Sequence, residues 1–211
     1  MGTVWFTADP HFGADSSRII EREMRPFKNA LDYADQQIQI WNEQILLQHS
    51  KNDTIYVIGD FCNYNAEEKD FYMGLAISRQ IRADIILIAG NNEERIVTEQ
   101  FDGSFERFRE FCLDKLNFNF ADIKRRDYVT IGGTTFCLTH KPTDHDKHCA
   151  TLFGHVHRAG GVWRPYGLNV GVDLNHFRLY KDTDITNLME QKRRWWDSDP
   201  DNNCFSGTSH L

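Results

Sequence analysis

An α/β fold, with a sheet buried under helices on both faces, is predicted by three features of this 211-residue chain. Apolar runs rich in β-branched residues recur at 3–8, 54–58 and 84–89, as in strands buried on both faces. Helical periodicity fills the stretches between them, giving the β-α-β-α-β order of a largely parallel sheet. Further along, Gly132-Gly133 separates two more apolar runs and marks a hairpin.

Each element has a local reason. Residues 3–8 read as a buried first strand. Over 32–48, Ala34, Ile38, Trp41 and Ile45 fall at i, i+4, i+7 and i+11, an apolar stripe, with Asn29 and Asp32 as the start signal. Residues 54–58 form a strand ending at Gly59-Asp60, a helix covers 66–81, and 84–89 lead to Gly90-Asn91. A helix over 104–116 carries Phe105, Phe108, Phe111, Cys112 and Leu116 on one side, which reads as core packing. The hairpin arms are 128–131 and 135–139, followed by strands at 151–153, 168–172 and 177–180. Trp195 and Trp196 anchor a terminal helix, which puts one domain over 1–196 and a polar tail over 197–211.

Seven potential metal ligands stand where these strands end. They are Asp9 and His11, Asp60, Asn91, His140, and His155 with His157. Convergence of those ends on one sheet edge would hold two divalent ions about 3.5–4 Å apart, which requires a bridging carboxylate. Asp60 is the natural bridge, with Asp9, His11 and His157 completing one ion and Asn91, His140 and His155 the other. Mixed imidazole, carboxylate and amide donors suit Mn, Fe, Zn or Ni better than Ca or Mg. The glycines beside Asp60, Asn91 and His155 fit positions where a Cβ would crowd the ions.

The order DxH, GD, GN, H, GHxH resembles the calcineurin-like metallophosphoesterase family. Thr7-Ala8-Asp9-Pro10-His11-Phe12-Gly13, Arg25-Pro26-Phe27, Gly59-Asp60-Phe61 and Asn169-Val170-Gly171-Val172-Asp173 are similar to its small bacterial and phage branch, over residues 3–180. The resemblance implies a two-sheet sandwich flanked by helices in four αββα layers. It also implies hydrolysis of phosphate esters by a hydroxide bridging two ions, with Asp60, Asn91, Asn92 and His140 as the catalytic set. Two departures bear on the chemistry. Many members have a His after the GN, which helps protonate the leaving oxygen, whereas this chain has Asn92, an amide that does not titrate usefully. The common HFGH reads His11-Phe12-Gly13-Ala14. Without that acid, worth about 10²–10⁴-fold, phosphodiesters or activated esters are expected over unactivated monoesters. His145 and His148 are candidates for the missing acid, and both read more simply as exposed loop histidines.

Composition limits the partners. Hydrophobic residues make up 40% and charged residues 26%, as in an ordinary globular domain. The net charge of −7 argues against an extended nucleic acid and leaves a small phosphate ester or nucleotide as the expected substrate. Lys124-Arg125-Arg126 reads as a solvated loop and Lys192-Arg193-Arg194 as a helix end. Arg25 and Arg95 read as phosphate contacts or surface ion pairs, and Glu93 as support for the Asn91 loop. His49, His176 and His210 have no assigned role. Cys62, Cys112, Cys137, Cys149 and Cys204 are an odd set without CxxC spacing, expected as reduced thiols in the cytoplasm. Neither a signal-peptide pattern nor a myristoylation pattern occurs at the start, and no apolar run reaches membrane-spanning length. Two alternatives stand beside the phosphoesterase: a nuclease with the same metal centre, and a scaffold that keeps the fold without catalysis.

Overall fold

The computed structural model describes residues 2–13, 17–48, 52–64, 68–114, 116–159 and 167–198. Strands β1 (Val4–Thr7), β2 (Thr54–Ile58), β3 (Asp84–Ile88) and β4 (Phe120–Lys124) run parallel in one sheet. Strands β5 (Asp127–Ile131), β6 (Thr134–Leu138), β7 (Ala150–Phe153) and β8 (Gly167–Asn169) form a second sheet in that order. The last strand, β9 (Tyr180–Lys181), pairs antiparallel with β1 and gives the first sheet the order β4-β3-β2-β1-β9. Among the described residues of the second sheet, β5 and β6 pair antiparallel and the other pairs are parallel.

The period of two along each strand divides the core. Trp5, Ile55, Val57, Ile85 and Leu87 face one apolar cluster with Tyr33, Trp41, Ile96 and Phe108. Those partners come from helices α2 (Ala30–Leu47), α4 (Asn91–Gln100) and α5 (Phe105–Cys112). Phe6, Ile58 and Ile88 point the other way, onto Phe136, Leu138 and Leu152 of the second sheet. Helix α6 (Asp182–Ser198) packs against β9, β1 and β5, with Ile185 in that second cluster. Two sheets therefore share one core and helices flank them, as expected.

Several boundaries differ from the sequence reading. Helix α2 is capped by the Asn29 side chain, which accepts from the N–H groups of Leu31 and Asp32. Helix α3 (Glu68–Ile77) ends in a 3₁₀ turn over Ser78–Gln80. Helix α5 stops at Cys112, so Leu116 is 81% exposed and falls off the buried stripe. Residues 168–172 leave the strand at Asn169, because Gly171 bridges to Ala8 and Val172 opens a 3₁₀ turn. Strand β4, helix α4 and the short helix α1 (Ser17–Arg22) had no clear periodic signal. Helix α6 runs to Ser198, past the expected tail boundary at 196. His49, Cys204, His210 and residues 199–211 lie outside the described residues.

The basic runs also land differently. Lys124 ends β4 and pairs with Asp127 at 2.7 Å, so the first run is not all loop. Lys192 lies within α6 and donates to the Gly167 carbonyl. Its partial burial lowers its pKa to about 8. Among the described residues Cys62, Cys112, Cys137 and Cys149 are free thiols. No helix among the described residues is long and apolar enough to cross a membrane.

Candidate metal centre

Parallel β1, β2 and β3 bring their carboxyl ends to one edge, where α/β sheets place their ligands. The chain then stitches the loops together. Asp9 donates its N–H to the Gly59 carbonyl at 3.1 Å, and His11 does the same to Asp60 at 3.0 Å. From the second sheet, the His155 N–H donates to the Asp9 carboxylate at 2.9 Å. All seven predicted ligands meet at this junction. Asp9, His11, Asp60, His140 and His157 are buried, whereas Asn91 and His155 are exposed at the rim.

The donor atoms form two groups. Asp9, His11 and His157 offer atoms within 4.8 Å of one another, as do Asp9, Asp60 and His140. Asp60 turns one oxygen to each side: Oδ2 lies 3.7 Å from His11 Nε2, and Oδ1 lies 3.6 Å from His140 Nε2. Asn91 Oδ1 lies 2.9 Å from His155 Nδ1 and 3.1 Å from His140 Nε2, which gathers the expected second set. One detail differs from the sequence assignment. Asp9, like Asp60, is within reach of both groups.

The histidines are held by their outer nitrogens. His140 Nδ1 donates to the Ile58 carbonyl at 3.0 Å, and His157 Nδ1 to Asp173 Oδ2 at 3.2 Å. His11 Nδ1 lies 3.2 Å from the Asn92 amide and its ring stacks on His157 at 5.0 Å. For His11 and His140 this leaves Nε2 facing the carboxylates, the geometry by which proteins orient metal-ligating imidazoles. His11 Nε2 is buried and has no hydrogen-bond partner among the described residues. An orphaned imidazole nitrogen between two carboxylates fits a cation there. A ligating Nε2 needs its proton on Nδ1, so the Asn92 amide oxygen is the group to face His11.

Charge at the centre is unbalanced without cations. Burial first, then the Asp60 charge, raises Asp9 well above the usual carboxylate range. Burial, then His157, lowers His11 well below an ordinary imidazole. Glu93 accepts the backbone N–H groups of Asp60, Phe61 and Gly90 at 2.9, 3.0 and 2.8 Å, as expected for support of this loop. Burial, then Asp60, nevertheless pushes Glu93 up to about 8.

The sign of the pH dependence follows. Above an imidazole's ordinary 6.5 the lowered His11 is neutral both folded and unfolded and contributes nothing. Raised carboxyls bind more protons folded than unfolded, so their stabilisation is lost as pH rises towards about 8. The chelated protein is expected to melt at progressively lower temperature from pH 6.5 to 8. A flat or rising profile in EDTA, measured by thermal unfolding, contradicts this.

Backbone strain marks the same residues. Asp9, His11, Asp60, His155 and His157 have φ of 57°, 54°, 49°, 71° and 47°, in the left-handed region. Such conformations cluster at functional sites.

Arg25 is neither a phosphate contact nor a surface residue. It is 3% exposed, grips Asp173 through Nε and Nη2 at 2.8 Å each, and donates to the carbonyls of Asp9 and Pro10. Although burial alone would raise Asp173, its bonds to His157 and Arg25 lower it to about 2. Arg25→Ala leaves that buried carboxylate without its cation and with His157 as its remaining side-chain donor, an expected loss of about 3–5 kcal/mol in chemical denaturation. A loss under 1 kcal/mol would contradict it.

Sequence reasoning also passed over Arg22, whose Nη2 lies 3.2 Å from His157 Nε2, and Asn169, which donates to the His157 carbonyl. Two cavities open at the centre. One of about 500 Å³ is lined by His11, Arg22, Asp60, Asn92, His155 and His157, among others. The other, of about 720 Å³, lies beside Asn91 and His140. His145, which is half-buried, and the exposed His148 line neither.

Residues 2–205 match the calcineurin-like phosphoesterase family. The chain is a member of that family. Family members are hydrolases that generally use divalent metals, which agrees with the clustered ligands. Among solved structures, AQ665 from Aquifex aeolicus, a protein of unknown function, is similar with a TM-score of 0.58 at 19% identity. That match covers 89% of this chain and 100% of the other, and it shows the fold. YfcE, a phosphoesterase from E. coli, matches at 12% identity with a TM-score of 0.41, over 80% of this chain and 78% of its own. No curated protein gives a significant match.

Proposed function

We propose that this chain is a binuclear metal-dependent phosphodiesterase acting on small phosphodiesters or nucleotides. The observation that carries the reading is Asp60, whose two oxygens face His11 and His140 separately while His11 Nε2 stays buried and unpartnered. Two divalent ions held by Asp9, His11, Asp60, Asn91, His140, His155 and His157 would acidify a water and offset phosphoryl charge. The chain's own contribution is orientation. Ile58, Asp173 and Asn92 fix three imidazoles, and the Asn91 oxygen sits between His140 and His155. Asn91 lines both cavities and His140 lines the larger one, so an ester phosphate at these two residues has room for a substituent on either side.

Asn92 supports diesters over monoesters. Its amide supplies no proton to a poor leaving group, and it is 9% exposed against His11. Manganese is the first choice of ion, with iron, zinc and nickel compatible with the same donors. The free thiols support a reducing, cytoplasmic setting.

The test uses chelator-stripped protein reloaded with Mn²⁺, assayed on bis(p-nitrophenyl) phosphate and p-nitrophenyl phosphate. Manganese-dependent turnover with a higher kcat/KM for the diester is expected. Turnover that survives stripping removes the metal from the proposal, and a faster monoester removes the diester preference.

A further inference from the structure

The larger cavity has a lining that the metal centre does not use. Arg95, Arg125, Arg126 and Lys141 contribute four cations, against the carboxylates of Glu94 and Asp144. Two cations are already matched: Arg125 holds both oxygens of Glu94, at 2.6 and 3.1 Å, and Arg95 pairs with Glu99 at 2.8 Å. Arg126 donates to the Asp144 backbone carbonyl at 2.6 Å and forms no ion pair among the described residues. Lys141 is exposed and forms no ion pair among the described residues. It follows His140 directly in the chain. Asp144 Oδ1 accepts from the Thr143 hydroxyl at 3.3 Å.

Position matters as much as charge. Asn91 and Arg95 line both cavities, so the cationic one is continuous with the metal-ligand cluster. A phosphate seated at Asn91 and His140 therefore has a basic chamber of about 720 Å³ beside it. A neutral substituent would leave two exposed cations facing only water.

Resting on the phosphodiesterase reading, we infer that the cavity lined by Arg126 and Lys141 is a subsite for a second phosphate carried by the substrate. The substrate class is then a phosphodiester whose retained half bears a further phosphate, as in a 3′-phosphorylated nucleotide ester. Charge-assisted contacts of this kind favour phosphate strongly enough to matter even at a solvent-open site.

A matched pair of substrates tests this. Thymidine 5′-(p-nitrophenyl phosphate) and its 3′-phosphorylated form release the same leaving group and differ only in the second phosphate. With Mn²⁺-loaded protein at low salt, kcat/KM is expected to favour the 3′-phosphorylated form by about tenfold, mostly through KM. The ratio should fall towards one in Lys141→Gln/Arg126→Gln and in 0.5 M NaCl, and should persist in Lys141→Arg. Binding of 3′,5′-thymidine bisphosphate by titration calorimetry gives a readout independent of turnover, and it should weaken by the same factor in the double variant. Equal kcat/KM for the two substrates, or a preference that survives the double variant, overturns the subsite. Absence of manganese-dependent turnover on both would instead strike at the phosphodiesterase reading, and unchanged bisphosphate binding in the double variant would still overturn the subsite by itself.

Discussion

Asp60→Asn is expected to lower manganese-supported diester turnover by about 10³-fold or more, since charge stabilisation by a clamped ion is worth several kcal/mol. The substitution keeps the shape of the side chain and an oxygen able to accept the Asn92 N–H, now at 2.9 Å from Oδ1. It removes the charge that faces His11 on one side and His140 on the other. A second consequence has the opposite sign. Asp60 helps to raise both Asp9 and Glu93, so neutralising it relieves repulsion in the chelated protein. The variant should melt higher than wild type in EDTA and gain less from added Mn²⁺. Wild-type activity in Asp60→Asn, or an equal thermal gain from Mn²⁺, would remove Asp60 as the shared ligand.

Gly90→Ala should cost about 100-fold in kcat, the scale of a 1 Å misplacement at a reacting centre. An added Cβ would stand 2.2 Å from Asp60 Oδ1 and 2.4 Å from the Asp60 backbone nitrogen. The carboxylate could swing away, but the backbone atom is fixed by its bond to Glu93. Position 90 has φ of −96°, which alanine adopts freely, so the effect isolates close approach from backbone strain. Crystallography or metal titration of the variant should find Asp60 displaced and Mn²⁺ affinity reduced. Near-normal kinetics would mean that the two loops have more freedom than this contact allows.

Much of this architecture was legible because its signals are local. Asp9, Asp60 and Asn91 each follow an apolar strand, and a strand end is a property of a few adjacent residues. The Asn29 cap and the Gly132-Gly133 turn were readable for the same reason. Helix α4 was hidden because only Ile96 and Val97 supply its buried apolar side chains, while its first turn serves Asp60 instead. The Arg25–Asp173 pair is 148 residues apart in sequence, and nothing local distinguishes a buried arginine from an exposed one. Arg22 was missed likewise, since its closeness to His157 depends on how α1 folds over the centre. The second phosphate subsite shares that origin: Arg126 and Lys141 come from either side of the β5–β6 hairpin, and no motif joins them.

The five left-handed residues Asp9, His11, Asp60, His155 and His157 set a direction for genetic drift. Each such conformation costs of order 1–3 kcal/mol that glycine would largely recover. Laboratory lineages screened only for folding should therefore accumulate glycine at these positions and become hardier as they lose chemistry. Lineages screened for turnover should hold the five in place and acquire compensating changes elsewhere.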